Sequence, residues 1–184
     1  KTARRIDEHQ DLNAQFPVGK PPSSAQARVV WRVVERHEPD VVVDLHSSIG
    51  IYGVDGGVGQ AVFPTITGPA VEHADEAITR VNEKYRLTGN HSFRRGNVMG
   101  KSGTTLVRKV AGDTNGTAYI VETTKRDTDV DTRVNWTTEI TWELLRLHGL
   151  EPSGRHERRE SRYRSQSVAK PETQESTATT EPPS

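Results

Sequence analysis

The chain has 184 residues, of which 32% are hydrophobic, and its 25 basic residues balance 25 acidic ones. This length allows one domain with a core, and the zero net charge offers no field of one sign to attract nucleic acid or an anionic membrane. No apolar run is long enough for a membrane span, and the absence of cysteine excludes disulfides and thiolate metal ligands. Any metal must therefore be held by His, Asp or Glu.

In the first half of the chain, a predicted helix leads into a predicted strand. Residues 21–24, Pro-Pro-Ser-Ser, provide a hydroxyl cap for a helix over Ala25–His37. The expected apolar face of this helix consists of Ala25, Val29, Val30, Val33 and Val34. Residues 41–46 begin with three consecutive valines, which predict a strand buried on both faces. A glycine-rich loop over 49–59 and a short strand over 60–66 come next.

The second half of the chain continues this alternation of helix and strand. The spacing of apolar residues predicts a helix over 69–87, and a basic loop over 89–103 follows it. Residues 104–110 suit a short helix or a strand, of which we favour the helix. Residues 117–123 predict a strand, and residues 130–150 predict a long amphipathic helix.

The order of these elements predicts two regions of different character. Residues 1–150 are expected to form an α/β domain with a central, mostly parallel or mixed sheet flanked by helices. Residues 151–184 are rich in Arg, Glu, Ser, Thr and Pro and have few apolar side chains, so they predict a disordered tail.

Two strand ends carry side chains that suit chemistry. His46 ends the first strand, where α/β sheets place their ligands, although a histidine there is often structural. Glu122 interrupts an apolar strand, which is costly unless the carboxylate is paired or functional. We expect both to face one cleft, together with residues 11–17 and the glycine-rich loop 53–59. The alternative is that they are independent structural residues at opposite ends of the sheet.

Several short motifs, in their order along the chain, resemble the zinc carboxypeptidase superfamily. The motifs are Arg5-Ile6-Asp7, Asp11-Leu12-Asn13 followed by Phe16-Pro17, Asp44-Leu45-His46-Ser47 and Tyr119-Ile120-Val121-Glu122-Thr123. The resemblance covers residues 4–150 and is greatest to the branch of succinylglutamate desuccinylase and aspartoacylase. It implies a zinc-exopeptidase-like fold and a zinc-dependent hydrolase of an amide bond, either a carboxypeptidase or an N-acyl amino acid deacylase, with a small-molecule or peptide substrate.

The resemblance also implies a role for each matching residue. His46 corresponds to the last of three zinc ligands, with Asp44 or a backbone carbonyl supporting its ring. Glu122 corresponds to the general base that takes a proton from zinc-bound water. Arg5 corresponds to the arginine that stabilises the developing oxyanion, with Arg4 as the alternative, and Asn13 corresponds to a substrate-binding asparagine.

Two departures from the family pattern matter. Ala14 stands where the family has an arginine that binds the substrate carboxylate. Either Arg94 or Arg95 takes over this contact, or the substrate differs, or the protein is inactive. In addition, no His-x-x-Glu motif precedes Asn13, so the first two zinc ligands are missing.

Two explanations for the missing ligands stay open. The sequence can begin too late, as its non-Met start suggests; the other two ligands and the first strands would then lie upstream, and we favour this explanation. Alternatively, the protein is a non-catalytic, metal-free binding relative of the same fold. In both cases we expect this chain to bind zinc poorly.

The remaining histidines receive structural interpretations. His37 and His148 lie at helix ends, His73 lies on the second helix, and His91 in the basic loop is the one other candidate for function. Tyr119 is predicted to belong to the core. The sequence leaves open the oligomeric state and whether the protein is cytoplasmic or secreted.

Overall fold

The computed structural model describes residues 11–150. The interpretations of Arg4, Arg5 and the tail over 151–184 lie outside the described residues. The elements of the described part are the helices α1 (Ala25–His37), α2 (Ala70–Tyr85), α3 (Leu106–Lys109) and α4 (Val130–Leu147), and the strands β1 (Val41–Ser48), β2 (Ala61–Pro64), β3 (Arg94–Arg95) and β4 (Thr117–Thr124). No helix in this part combines the length and the apolar character that crossing a membrane requires.

The strands form one mixed sheet in the order β1-β4-β2-β3. β1 pairs with β4 in parallel, β4 pairs with β2 antiparallel, and β2 pairs with β3 in parallel. Because helices pack on both faces of this sheet, the predicted α/β class with a mixed, helix-flanked sheet is confirmed.

Side chains that alternate along β4 divide the core into two layers. Tyr119 and Val121 point to the face that α2 and α4 cover. Ala118 and Ile120 point to the opposite face, where they pack with Trp31 of α1 and with α3. Glu122 continues the Ile120 side, so its carboxylate lies on the face of α1 and α3.

Helix α1 begins and ends at the predicted residues. The Ser24 side chain accepts a hydrogen bond from the Ala27 amide, and Glu38 ends the helix in the left-handed conformation. The predicted apolar face is wrong, however, because Val29 and Val33 are exposed. The helix instead buries Ala27, Trp31 and Val34, since this stripe at i, i+4 and i+7 brings the large indole into the core.

Strand β1 is not buried on both faces, contrary to the prediction from its valines. Within residues 11–150, β4 is the one strand that pairs with it, so β1 is an edge strand there. Val41, Val42 and Val43 are half-buried, and Leu45 is 54% exposed. A run of valines suits a central and an edge strand equally, so the pattern cannot distinguish the two.

The segment after α2 is more structured than predicted. The basic loop contains a turn of 3-10 helix at Gly89–His91 and the short strand β3. The favoured helix over 104–110 is confirmed as α3, which continues into a π-helical turn at Val110–Thr114. The Thr105 side chain caps α3 by accepting a hydrogen bond from the Arg108 amide.

Candidate active site

The register of β1 against β4 brings the two strand-end residues together. His46 lies directly beside Glu122, and Asp44 lies beside Ile120. The distance from His46 Nδ1 to Glu122 Oε1 is 3.3 Å. The alternative that places the two residues at opposite ends of the sheet is therefore wrong.

Carboxylates occupy both nitrogens of the His46 ring. His46 Nε2 lies 3.1 Å from Asp44 Oδ2, and Nδ1 faces Glu122. The hydrogen bonds to Asp44 and Glu122 raise the pKa of His46 to about 9, against the opposing effect of burial. All three side chains are mostly buried, with 16%, 22% and 14% of the His46, Asp44 and Glu122 side chains exposed. In this state the ring is an imidazolium at neutral pH.

His46 and Glu122 face a cavity of about 310 Å³. Its other polar lining residues are Asn13, Asn97 and Arg108, and its apolar walls are Phe63, Met99 and Ile120. Two buried oxygens, Asn13 Oδ1 and Glu122 Oε2, have no hydrogen-bond partner among residues 11–150. Since buried polar atoms are normally paired, these two oxygens indicate that a ligand or water completes the site.

The segment before α1 carries Asn13 to this cavity. Asp11 accepts a hydrogen bond from the Asn13 amide and begins a turn of 3-10 helix. The Phe16 and Val18 amides then donate to the carbonyls of Thr104 and Gly103, at 2.8 and 3.0 Å. These bonds hold the segment against the loop before α3, so residues far apart in sequence line one cavity.

Other predicted site elements lie away from the cavity. The glycine-rich loop does not line it, because Ser48 and Asp55 bind the amides of this loop and fold it on itself. The Arg94 guanidinium lies on the Tyr52 ring, with Cζ 3.1 Å from the centroid, and donates to a loop carbonyl. Arg95 pairs with Asp75 at 2.8 Å. Neither arginine is placed to bind a ligand beside Glu122.

The described residues do not form a complete metal site. Within residues 11–150, no three His, Asp or Glu side chains are grouped so that they can hold a metal. His46 fits one ligand position, because a carboxylate such as Asp44 commonly orients the ring of a metal-binding histidine through its second nitrogen. Further ligands would have to come from outside the described residues.

The sequence interpretation missed most of the cavity lining. Ile120 had a usable signal, since it lies two residues before Glu122 on the same face of β4. Arg108 had none, because α3 has only four residues and shows no periodicity. Met99 and Asn97 lie in a loop whose course depends on the β2–β3 pairing.

A larger cleft of about 1240 Å³ lies beside α1, but its buried charged group already has partners within the protein. Its buried cation, Lys109, donates to the carbonyls of Pro17 and Lys20 and pairs with Asp113 at 2.5 Å. Lys109 also lies over the Trp31 ring. With its lysine fully partnered, this cleft is a weaker candidate than the cavity of His46 and Glu122.

Comparisons with solved structures identify the architecture. No family model matches the chain, and no curated protein matches it. Two structures of the cell shape determinant Csd4 from Helicobacter pylori, tripeptide-bound and mDAP-bound, each align with 78% of this chain at 16% identity, with TM-scores of 0.61 and 0.60. The mDAP-bound protein is described as a D,L-carboxypeptidase. A candidate metallopeptidase from Shewanella amazonensis aligns with the same share at 10% identity and a TM-score of 0.55.

The chain shares the fold of these D,L-carboxypeptidase and metallopeptidase structures. It spans 39% of the length of the Csd4 structures and 56% of the Shewanella protein. At these identities the similarity establishes the fold alone.

Proposed function

We propose that the cavity at the carboxyl ends of β1 and β4 belongs to a zinc-dependent hydrolase that cleaves an amide bond, as a carboxypeptidase or an N-acyl amino acid deacylase. The observation that carries this proposal is the position of Glu122. One of its oxygens faces His46 at 3.3 Å, while the other is buried in a cavity wall without a partner. A carboxylate held in this way is poised to accept a proton from a bound water.

The side chains of the cavity have separate tasks in this proposal. Glu122 takes a proton from the attacking water and delivers it to the leaving amine. The Asn13 amide, whose Oδ1 is unpartnered, binds the substrate. Asp44 fixes the His46 ring. A zinc ion held in part by His46 would act as a Lewis acid and make bound water more acidic. Arg5 or Arg4 remains the proposed oxyanion-binding residue.

The substrate class is proposed from two sources. The Csd4 structures were determined with a tripeptide or with mDAP bound, which supports a substrate built from amino acids. The sequence motifs additionally favour the desuccinylase and aspartoacylase branch, for which an N-acyl amino acid is the substrate. Short peptides and N-acyl amino acids are therefore the substrates to test first.

Amide hydrolysis by the wild type and by Glu122→Gln tests the proposal. The assay contains zinc in large molar excess, because this chain is expected to bind zinc weakly, and it measures amine release from short peptides and from N-acyl amino acids. We expect Glu122→Gln to lower the rate by roughly 10²- to 10⁴-fold, because a general base contributes about this factor. The same substitution at the exposed Glu35 of α1 should leave the rate unchanged. Full turnover by Glu122→Gln would contradict the assignment of the base.

The second candidate function is a non-catalytic, metal-free binding domain. The occupation of both His46 nitrogens by carboxylates favours it, because a metal would have to displace one of these contacts. Ligand binding by the wild type without any zinc-dependent hydrolysis would select this candidate.

A further inference from the structure

Arg108 is held rigidly at the wall of the cavity. It lies on α3 and is half-buried, and its Nη1 donates to the carbonyls of Ser102 at 2.9 Å and Gly100 at 3.5 Å. Gly103, with a φ of +123°, packs against the aliphatic part of the side chain, where a methyl group would lie 2.8 Å from Arg108 Cδ. The guanidinium is therefore positioned before any ligand arrives.

In the described part of the chain, no carboxylate neutralises the charge of Arg108. Within residues 11–150, no Asp or Glu lies at ion-pair distance from it, whereas Arg95 pairs with one carboxylate and Arg80 and Arg146 pair with two each. Glu122, the acid that lines the cavity, contacts His46 instead, as does Asp44 from the other side of the ring. A fixed cation that lines a cavity without an anionic partner is suited to bind an anionic ligand.

We propose that Arg108 binds a carboxylate group of the substrate, next to the amide bond that Glu122 acts on. This inference rests on the proposed function, since it places the carboxylate in the same cavity as the base. A planar guanidinium matches a carboxylate with parallel hydrogen bonds. One guanidinium balances one negative charge, so a phosphate dianion beside Glu122 would leave excess charge in a site with apolar walls.

Position 14 and the arginines of β3 do not supply a cation to this cavity. Ala14 is exposed and does not line the cavity, so position 14 offers no cation. Arg94 and Arg95 are engaged elsewhere. Arg108 reaches the cavity from a different element and supplies the missing charge. The apolar walls of Phe63, Met99 and Ile120 would then contact the side chain next to that carboxylate.

Paired ligands that differ only in charge test the role of Arg108. The probes are N-acetyl-glycyl-alanine with an L- or a D-alanine, each as the free acid and as the terminal carboxamide. Calorimetric titration of the full chain without added metal measures their affinities. We expect at least one acid to bind roughly 10- to 100-fold more tightly than its amide. The amide cannot form the charge-assisted hydrogen bond, and the loss of such a bond weakens binding by about this factor.

Three variants separate recognition from packing. Arg108→Ala should bind acid and amide equally. Arg108→Lys should show an intermediate preference, because lysine keeps the charge but lacks the paired donors of the guanidinium. Arg28→Ala is the matched control, because Arg28 also donates to two backbone carbonyls, those of Pro22 and Ser23, but lies at the larger cleft. This control should keep the full preference for the acid. A merely structural role for Arg108 would weaken acid and amide alike.

The outcomes distinguish this inference from the proposed function. If no acid binds more tightly than its amide, or if Arg108→Ala keeps the preference, the role of Arg108 is wrong, whatever the hydrolysis assay shows. If the preference depends on Arg108 but Glu122→Gln hydrolyses amides at the full rate, the anion site stands and the assignment of Glu122 fails.

Discussion

A histidine lies beside each end of β4, and the pKa values of these two histidines are shifted in opposite directions. Near the amino end, the Tyr119 hydroxyl lies 2.8 Å from His148 Nε2, which lies 3.3 Å from His73 Nδ1. Burial and the neighbouring His73 lower the pKa of His148. At the carboxyl end, Asp44 and Glu122 raise the pKa of His46 to about 9. At neutral pH, His148 is therefore neutral and His46 is cationic.

The difference lies in how completely each cluster satisfies its own polar groups. Burial raises the pKa of the Tyr119 hydroxyl, which stays protonated and shares a hydrogen bond with His148. No side-chain atom of this cluster is among the unpartnered buried atoms of the described residues. At the carboxyl end, Glu122 Oε2 and Asn13 Oδ1 are buried without partners beside a cavity. Buried polar atoms without hydrogen-bond partners mark the end of β4 where a ligand is expected. Functional sites commonly break the rule that buried polar groups are paired.

Truncation of Tyr119 should have the largest effect on stability. Its side chain is fully buried in the layer of α2 and α4, so Tyr119→Ala should lower the free energy of unfolding by about 3–5 kcal/mol. Glu122→Gln, at the other end of the strand, should lower it by less than Tyr119→Ala does, because it keeps the shape of the side chain and leaves His46 its contact with Asp44. Urea unfolding of both variants measures the difference. Equal losses of unfolding free energy in the two variants would contradict the distinction between a structural end and a functional end of β4.

The pH dependence of stability should separate the two histidines. His148 has a lowered pKa in the folded state, with His73, Tyr119 and Asp40 around it. Its contribution is present above the unfolded pKa of about 6.5 and is lost as the pH falls below it. His46 acts with the opposite sign, because its contribution is lost as the pH rises toward about 9.

Unfolding of the wild type and of His148→Gln at about pH 7.5 and 5.5 measures this effect. The wild type should lose more stability than the variant on acidification. The comparison isolates His148, since His46 is present in both proteins. An identical pH dependence would show that burial of His148 has no energetic consequence.

Zinc should have the smallest effect on stability. The described residues group no three candidate ligands, so equimolar zinc should leave the unfolding midpoint of the chain unchanged. Thermal unfolding with and without zinc, together with metal analysis after gel filtration, checks this expectation. A tight site with one zinc per chain would contradict it and would require ligands beyond His46.

The sequence was sufficient for the features that local patterns determine. The bounds of α1 follow from its serine cap and the proline after it. The meeting of His46 with Glu122 follows from two strand ends in one sheet, once the motif order indicates that the strands belong together.

Features that depend on tertiary contacts could not be predicted. The buried stripe of α1 is chosen by where Trp31 fits, and the edge position of β1 depends on which strands pair with it. Arg108 reaches the cavity because the segment of Phe16 and Val18 binds the loop before α3, and no sequence pattern records that contact. The position of Arg108 at the cavity was therefore visible only in the structure.

The central claim is that the carboxyl end of β4 performs chemistry and the amino end does not. The most direct test is zinc-dependent amide hydrolysis by Glu122→Gln and His148→Gln, side by side with the wild type and at a pH where all three are folded. We expect a loss of roughly 10²- to 10⁴-fold in Glu122→Gln and an unchanged rate in His148→Gln. Equal rates in the two variants would contradict the claim.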